Sequence, residues 1–382
     1  MSRNKDSASI QSLCLNVTSG GTPSRQRDAY WTNGTIPWLK TGELKDNRIY
    51  DAEEKITEEG LAGSSAKIFP VNTVLMAMYG DGRTITSLGI LGSELATNQA
   101  CCAMIADPTK CDYQYLYYAL MHHRHELLGL VIAGAQRNLS IGIIKRFEIN
   151  TFPLDAQQRI ASILSAYDDL TENNRRRIHL LEEAARLLYR EWFVHLRFPG
   201  HERVSVIDGV PEGWERVSLG DVLMLQRGFD LPSQDRIPGE VPIYASTGVT
   251  GYHTQSKVAG PGVTTGRSGS LGTVLYIPCD FWPLNTTLWV KEFKKVPPIY
   301  ASHLLAGLHL ERYNGGAAVP TLNRNDAHKI EILQPVADLL AQFTQIAKPL
   351  YEQMRIIEQY NTKLAQARDL LLPRLMNGEI QL

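Results

Sequence analysis

Apolar residues recur at helical spacing along two long stretches of the chain. Residues 153 to 193 read PLDAQQRIASILSAYDDLTENNRRRIHLLEEAARLLYREWF. Seven-residue steps from Ile160 fall on Tyr167, Asn174, Leu181 and Leu188, and companion steps from Leu164 fall on Thr171, Ile178, Ala185 and Trp192. A mostly apolar seam of this period, with no glycine and no internal proline, predicts one long helix. Pro153 stands where a helix start tolerates it, and Asp155 is placed to cap and to put negative charge at the positive end of the helix. At about 1.5 Å per residue the helix outruns a compact domain, so its seam needs a partner.

The partner is predicted in the same chain. Residues 336 to 376 read VADLLAQFTQIAKPLYEQMRIIEQYNTKLAQARDLLLPRLM. Here Phe343, Leu350, Ile357, Leu364 and Leu371 form the seam, each 183 residues after its counterpart in the first set. The same offset relates Leu139, Phe147, Glu148 and Ile149 to Leu322, Ile330, Glu331 and Ile332. A fixed offset held through two elements points to an internal duplication. The copies differ at Pro349, which predicts a kink or restart at 348–349, and Pro373 is expected to end the helix. Asn174, a polar residue at a seam position, is placed to fix the register of the pair.

Each helix is preceded by a globular unit, and the two units follow one plan. Each opens on an amphipathic stretch, continues through short strands and glycine turns, passes a helical segment, and closes on a loop leading into a strand. DYQYLYYALMHHRHEL in the first parallels PIYASHLLAGLHLERY in the second, and ELATNQACCAMIAD parallels FWPLNTTLWVKE. The expected division is 1–152 and 196–335 for the two units, the latter including a Pro-, Gly- and charge-rich connector, with 153–195 and 336–382 for the helices and the tail. The fold class is α+β: two similar mixed α/β domains separated by two long antiparallel helices, a pseudo-two-fold internal repeat. MSRNKDSASI at the start is polar and expected to fray.

Composition narrows the function. The chain has 382 residues, 43% hydrophobic and 21% charged, with net charge −1. That is ordinary for a globular protein, and it argues against a nucleic-acid binder working without partners, which is usually basic. Five cysteines without a CxxC pair fit reduced thiols in the cytoplasm. No 18-residue apolar run suggests a membrane span. Catalytic signatures are absent: no phosphate-binding GxxxxGK[ST], no GxSxG, and glycines at the wrong spacing in GRSGSLG. Val296-Pro297-Pro298-Ile299-Tyr300 resembles the Asn-Pro-Pro-Tyr motif of amino-methyltransferases but lacks the asparagine that would orient a base amine, so Pro297 reads as a helix start. His122-His123-Arg124-His125 suggests no metal, because neighbouring positions point to different sides of a helix.

Both units carry polar loops with Arg, Asn and Gln beside glycine turns. Those side chains pair with guanine and adenine edges in the major groove, and Ser, Thr and turn amides suit phosphate oxygens. For any one residue a turn-forming role or simple surface exposure is commoner. Recurrence at comparable places in both copies is what singles the loops out.

The chain resembles the specificity (S) subunit of type I restriction–modification systems. GGTPS (20–24) with YWTNGTIPWLKTGEL, PLDAQQRIASILSAYDDL (153–170), EWFVHLRFPGHE (191–202), PEGWERVSLGDV (211–222) and RDLLLPRLMNGEI (368–380) carry the resemblance. It spans nearly the whole chain. Departures are the absence of a PEGW-type lead before the first unit, and Pro349. The resemblance implies two target-recognition domains, each reading half of an asymmetric bipartite site in double-stranded DNA. It implies that the helices set the spacer and dock two methyltransferase (modification) subunits. This chain would hold no cofactor and no metal and would not be an enzyme by itself. S-adenosylmethionine would reside in the methyltransferase subunits, and ATP and Mg²⁺ in up to two restriction subunits. Arg83, Asn98, Gln99, Arg137, Asn138, Arg267, Asn285, Thr286, Asn323 and Arg324 are the candidate DNA contacts. A duplicated non-DNA scaffold and a fused recognition-and-modification enzyme are the alternatives. The first leaves the paired loops unexplained, and the second lacks the cofactor motifs.

Overall fold

The computed structural model describes residues 6–80, 84–131, 138–315 and 320–380. The chain forms two compact units, Met1–Asn173 with Tyr360–Leu382, and Asn174–Gln359. Each contains part of both long helices, which run Leu154–Tyr189 and Ala337–Met376.

In the first unit a five-stranded sheet is ordered Cys14–Ser19, Cys101–Ala106, Val74–Ala77, Leu88–Leu91, Asn47–Ile49. A second sheet is ordered Glu54–Ile56, Ile36–Leu39, Leu95–Thr97, Ile68–Phe69. The helix Tyr113–His122 lays Tyr115, Leu116 and Tyr118 into the core, where they meet Val74, Met76, Cys102 and Met104 from the first sheet. Cys101 and Cys102 are fully buried, and burial pushes both thiols well above their usual pKa. The second unit repeats the plan with Leu223–Arg227, Thr287–Phe293, Gly262–Gly266, Val274–Ile277 in one sheet and Gly248–His253, Val241–Ala245, Trp282–Pro283 in the other.

The helices complete both cores. In the first unit Ile160, Ala161 and Leu164 pack with Leu372, Leu375 and Met376, and Asp168 pairs with Arg368 at 2.6 Å. Rising numbers on one helix meet falling numbers on the other, so the pair is antiparallel. Tyr118 Oη donates to the second oxygen of Asp168 at 2.7 Å, which leaves the carboxylate well satisfied. In the second unit Phe343, fully buried, meets Tyr189, Trp192, Phe193 and Tyr300. Burying such a ring contributes about 2–3 kcal/mol. Of the predicted seam positions, Ile160, Asn174, Phe343 and Ile357 are buried, while Tyr167, Leu181, Leu188, Leu350, Leu364 and Leu371 are half-buried.

Three local expectations change. Asp6–Ser9 is not frayed: it pairs antiparallel with Glu148–Thr151, as Glu215–Ser218 pairs with Glu331–Gln334 in the second copy. Asp155 lies inside the first turn and bonds Arg159, because Pro153 O already accepts from Ala156 N and Gln157 N. The second helix neither restarts at Pro349 nor stops at Pro373. Pro349 and Gln345, whose carbonyl loses its helical donor, are both exposed, so water can serve that carbonyl. Pro373 sits in the last turn, and Asn377 N donates to its carbonyl at 2.9 Å. The connector is also ordered: Phe198 and Trp214 are buried and stacked, ring centroids 5.6 Å apart.

Candidate nucleic-acid interface

One hydrogen-bond frame recurs at the loop end of each unit. In the first, Gly21 N donates to Thr97 O, Asn98 N to Leu39 O, Cys101 N to Asn98 O, Met78 N to Ala100 O and Leu139 N to Met78 O, at 2.8–3.2 Å. In the second, the same bonds run from Phe229 N to Pro283 O, Leu284 N to Tyr244 O, Thr287 N to Leu284 O, Arg267 N to Thr286 O and Leu322 N to Arg267 O, at 2.8–2.9 Å. The parallel strand pairs agree, with Leu39 opposite Thr97 and Tyr244 opposite Pro283. Isolated bridges also match: Tyr79 with Asn138, and Ser268 with Thr321.

A glycine anchors the frame in each copy. A Cβ on Gly20 would lie 2.0 Å from Thr97 O, and one on Gly228 2.2 Å from Leu284 O. Thr97 O accepts from Gly21 N and Leu284 O from Thr287 N, so neither oxygen can move away without losing a hydrogen bond of the frame, and only glycine fits there.

The frame decides which candidates come together. Gln99 occupies in the first unit the place that Asn285 occupies in the second, and Ala100 matches Thr286. Gln99 is exposed and takes a hydrogen bond from the Thr22 hydroxyl. Asn285 donates from Nδ2 to Asp230, and its backbone carbonyl accepts from Arg267 Nη1 at 3.2 Å. Thr286 Oγ1 accepts from Ser246 N at 3.3 Å. Arg267, Asn285 and Thr286 thus form one cluster with Arg227, Asp230 and Ser246. Asn98 serves the turn instead, its Oδ1 accepting from Ala100 N at 3.2 Å. Asn138 lies beside Tyr79 at the same end of the unit. Asn323 caps the short helix Arg324–His328, its side chain accepting from Asn325 N, and Arg324 opens that helix exposed to solvent. Arg83 and Arg137 lie outside the described residues.

Charges near the loops are fixed by neighbours. Arg25 and Lys40 both hydrogen-bond the Glu54 carboxylate, which holds Glu54 below the usual carboxylate range and Lys40 above the usual lysine range. Arg25 also lies 3.6 Å over the Trp31 ring. Burial, then Arg324 and Lys294, lowers the His328 pKa, and the neutral ring accepts from Leu225 N at 2.9 Å. Arg124, from the His-rich segment, makes a two-point contact with Asp46 at 2.6 and 2.9 Å. Among the described residues no group of three or more His, Cys, Asp or Glu is arranged for a metal, and no helix is long and apolar enough to cross a membrane.

Three side chains gain a partner and a place only from the structure. Thr22 and Asp230 partner the two amides, yet loops of unequal length hide that they are counterparts. The shared Asn of ELATNQ and WPLNTT sets Asn98 against Asn285, one residue away from the pairing the backbone makes. Gln157, fully buried, donates to Lys110 O and Phe152 O and accepts from Asp112 N, tying the first long helix to its unit. Seven residues before Leu164, it falls on the seam, but no spacing names the backbone groups it bonds.

The family profile described as the type I restriction modification DNA specificity domain matches residues 7–183 and 211–366, one copy per unit. The MjaIX type I restriction enzyme specificity subunit of Methanocaldococcus jannaschii is 26% identical, the match covering 96% of this chain and 91% of that one. The EcoprrI type I restriction enzyme specificity subunit of Escherichia coli is 22% identical over 90% of this chain and 89% of its own. The crystal structure of a type I restriction-modification S subunit from M. genitalium superposes with a TM-score of 0.59 at 18% identity, covering 98% of this chain and 96% of that one, and so shares the fold. With both halves matched and the duplicated α+β architecture in place, the chain belongs to the family of type I restriction–modification DNA specificity subunits, which recognise DNA sequence and leave the chemistry to other subunits.

Proposed function

We propose that the two units read different halves of an asymmetric, bipartite DNA site. One observation carries this reading: a common backbone frame presents different side chains at matching places. Thr22, Gln99 and Ala100 in the first unit stand where Asp230, Asn285 and Thr286 stand in the second, and the buried Leu39 and Met78 are replaced by the part-exposed Tyr244 and Arg267. A shared frame suits a shared way of meeting the duplex, and different side chains suit different base sequences. The long helices that join the units then set the spacer between half-sites.

The helices also dock two methyltransferase subunits. Leu180, Leu187 and Val194 are exposed at seven-residue spacing, and Leu370, the repeat counterpart of Leu187, is 73% exposed. Apolar side chains left open on helices are what a partner would cover. S-adenosylmethionine resides in those methyltransferase subunits, and ATP and Mg²⁺ in up to two restriction subunits, while this chain supplies neither cofactor nor metal. The assembly works in the cytoplasm, where the five thiols stay reduced.

Arg267→Ala tests the reading. In the complex with its methyltransferase, the variant binds the cognate site more weakly by about 1–3 kcal/mol and relaxes sequence preference in one half-site only. Unchanged affinity and motif would remove Arg267 from the interface. A uniform loss over all sequences would make it a phosphate contact.

A further inference from the structure

Asp230 restricts what Asn285 can offer to a ligand. Asn285 Nδ2 donates to Asp230, and Arg227 Nη2 approaches the same carboxylate at 3.3 and 3.4 Å. An ionised carboxylate only accepts, so the Asn285 amide has one orientation: amine toward Asp230, carbonyl oxygen outward. The backbone beneath is held by Arg267 Nη1 on Asn285 O at 3.2 Å and by Thr287 N on Leu284 O at 2.9 Å. No described residue donates to the outward oxygen. At the matching place in the first unit the Thr22 hydroxyl partners Gln99. A hydroxyl both donates and accepts, so it does not restrict that amide to one orientation as a carboxylate does.

We propose that Asp230 is a positioning residue that makes Asn285 a hydrogen-bond acceptor toward DNA, so that the second unit selects there a base with an exocyclic amino group. In the major groove adenine N6 and cytosine N4 donate, whereas guanine O6 and thymine O4 accept. The contact therefore separates amino from keto bases on the strand it reads. Gln99, partnered by the Thr22 hydroxyl, carries no such restriction, so the two halves of the site differ in how strictly matching positions are read, although their backbones are alike. This inference rests on the DNA-reading assignment above.

The test is selection from a DNA pool randomised in both half-sites, using the full chain in complex with its methyltransferase. Wild type, Asp230→Asn, Asp230→Glu and Asn285→Ala are compared, with melting temperatures measured in parallel. Wild type is expected to enrich adenine or cytosine at one position of one half-site. Asp230→Asn pairs with Asn285 in either orientation, so guanine and thymine are admitted and discrimination falls roughly tenfold. Asn285→Ala loses the same discrimination, Asp230→Glu retains it, and the other half-site keeps its sequence in all four. Unaltered preference in Asp230→Asn, or equal weakening of both half-sites, overturns the positioning role while the DNA reading stands. A wild-type pool without any enriched sequence overturns the DNA reading and this inference with it.

Discussion

His303 is enclosed by rings in the second unit. Tyr189 stacks on it with centroids 5.3 Å apart, Phe343 meets it edge-on at 6.0 Å, and Tyr351 Oη lies 3.0 Å from its Nε2. Burial lowers its pKa from 6.5 to about 4. The neutral ring then accepts the tyrosine hydroxyl. Above pH 6.5 the ring is neutral in folded and unfolded chains alike, and its contribution is complete. As pH falls from 6.5 toward 4 the unfolded chain binds a proton that the folded one does not, so stability drops, by on the order of 3 kcal/mol at pH 4. Urea titrations of wild type and His303→Gln at pH 7 and pH 4 check this. The variant is expected to be weaker at pH 7 yet to lose about 3 kcal/mol less on acidification. Equal losses in the two proteins would contradict the assignment. In the first unit the corresponding places hold Tyr118 and Asp168, a charged solution to the same packing problem, with Arg368 supplying the countercharge.

At the scale of elements, the long helices were legible because each repeats its apolar residues every seven positions and both keep a 183-residue offset. What periodicity misjudged was the reach of a proline. Pro349 removes a donor and crowds the Gln345 carbonyl, yet both residues face solvent and the buried Phe343, Ala347 and Met354 hold the helix on either side. Tertiary packing outweighs the local penalty there. Pro349→Ala is therefore expected to stabilise the chain, by about 1–3 kcal/mol, since it restores a helical hydrogen bond without disturbing a buried contact. Urea unfolding midpoints decide it, and a variant no more stable than wild type would mean that the helix is already relaxed around the proline. The candidate recognition loops were legible only as a class. Their glycine and amide content marked them, but Gln99 and Asn285 are matched by backbone hydrogen bonds across loops of different length. No spacing in the chain records those bonds. The same holds for Asp6–Ser9, whose polar residues look like a tail until Glu148–Thr151 is there to pair with them.

At the scale of the whole molecule, duplication supplies one frame twice, and divergence of the loops gives each copy its own chemistry. Near-neutral charge, 39 basic against 40 acidic side chains, fits the proposal that other subunits share the hold on phosphate. The decisive measurement is the methylome of a host expressing this chain with its methyltransferase, compared with a host lacking this chain. An added asymmetric motif of two half-sites with a fixed gap is expected, and exchanging residues 203–335 for those of another family member should change one half-site and leave the other and the gap intact. Methylation without any added motif, while the methyltransferase stays soluble and bound to this chain, would contradict the account and leave a scaffold in its place.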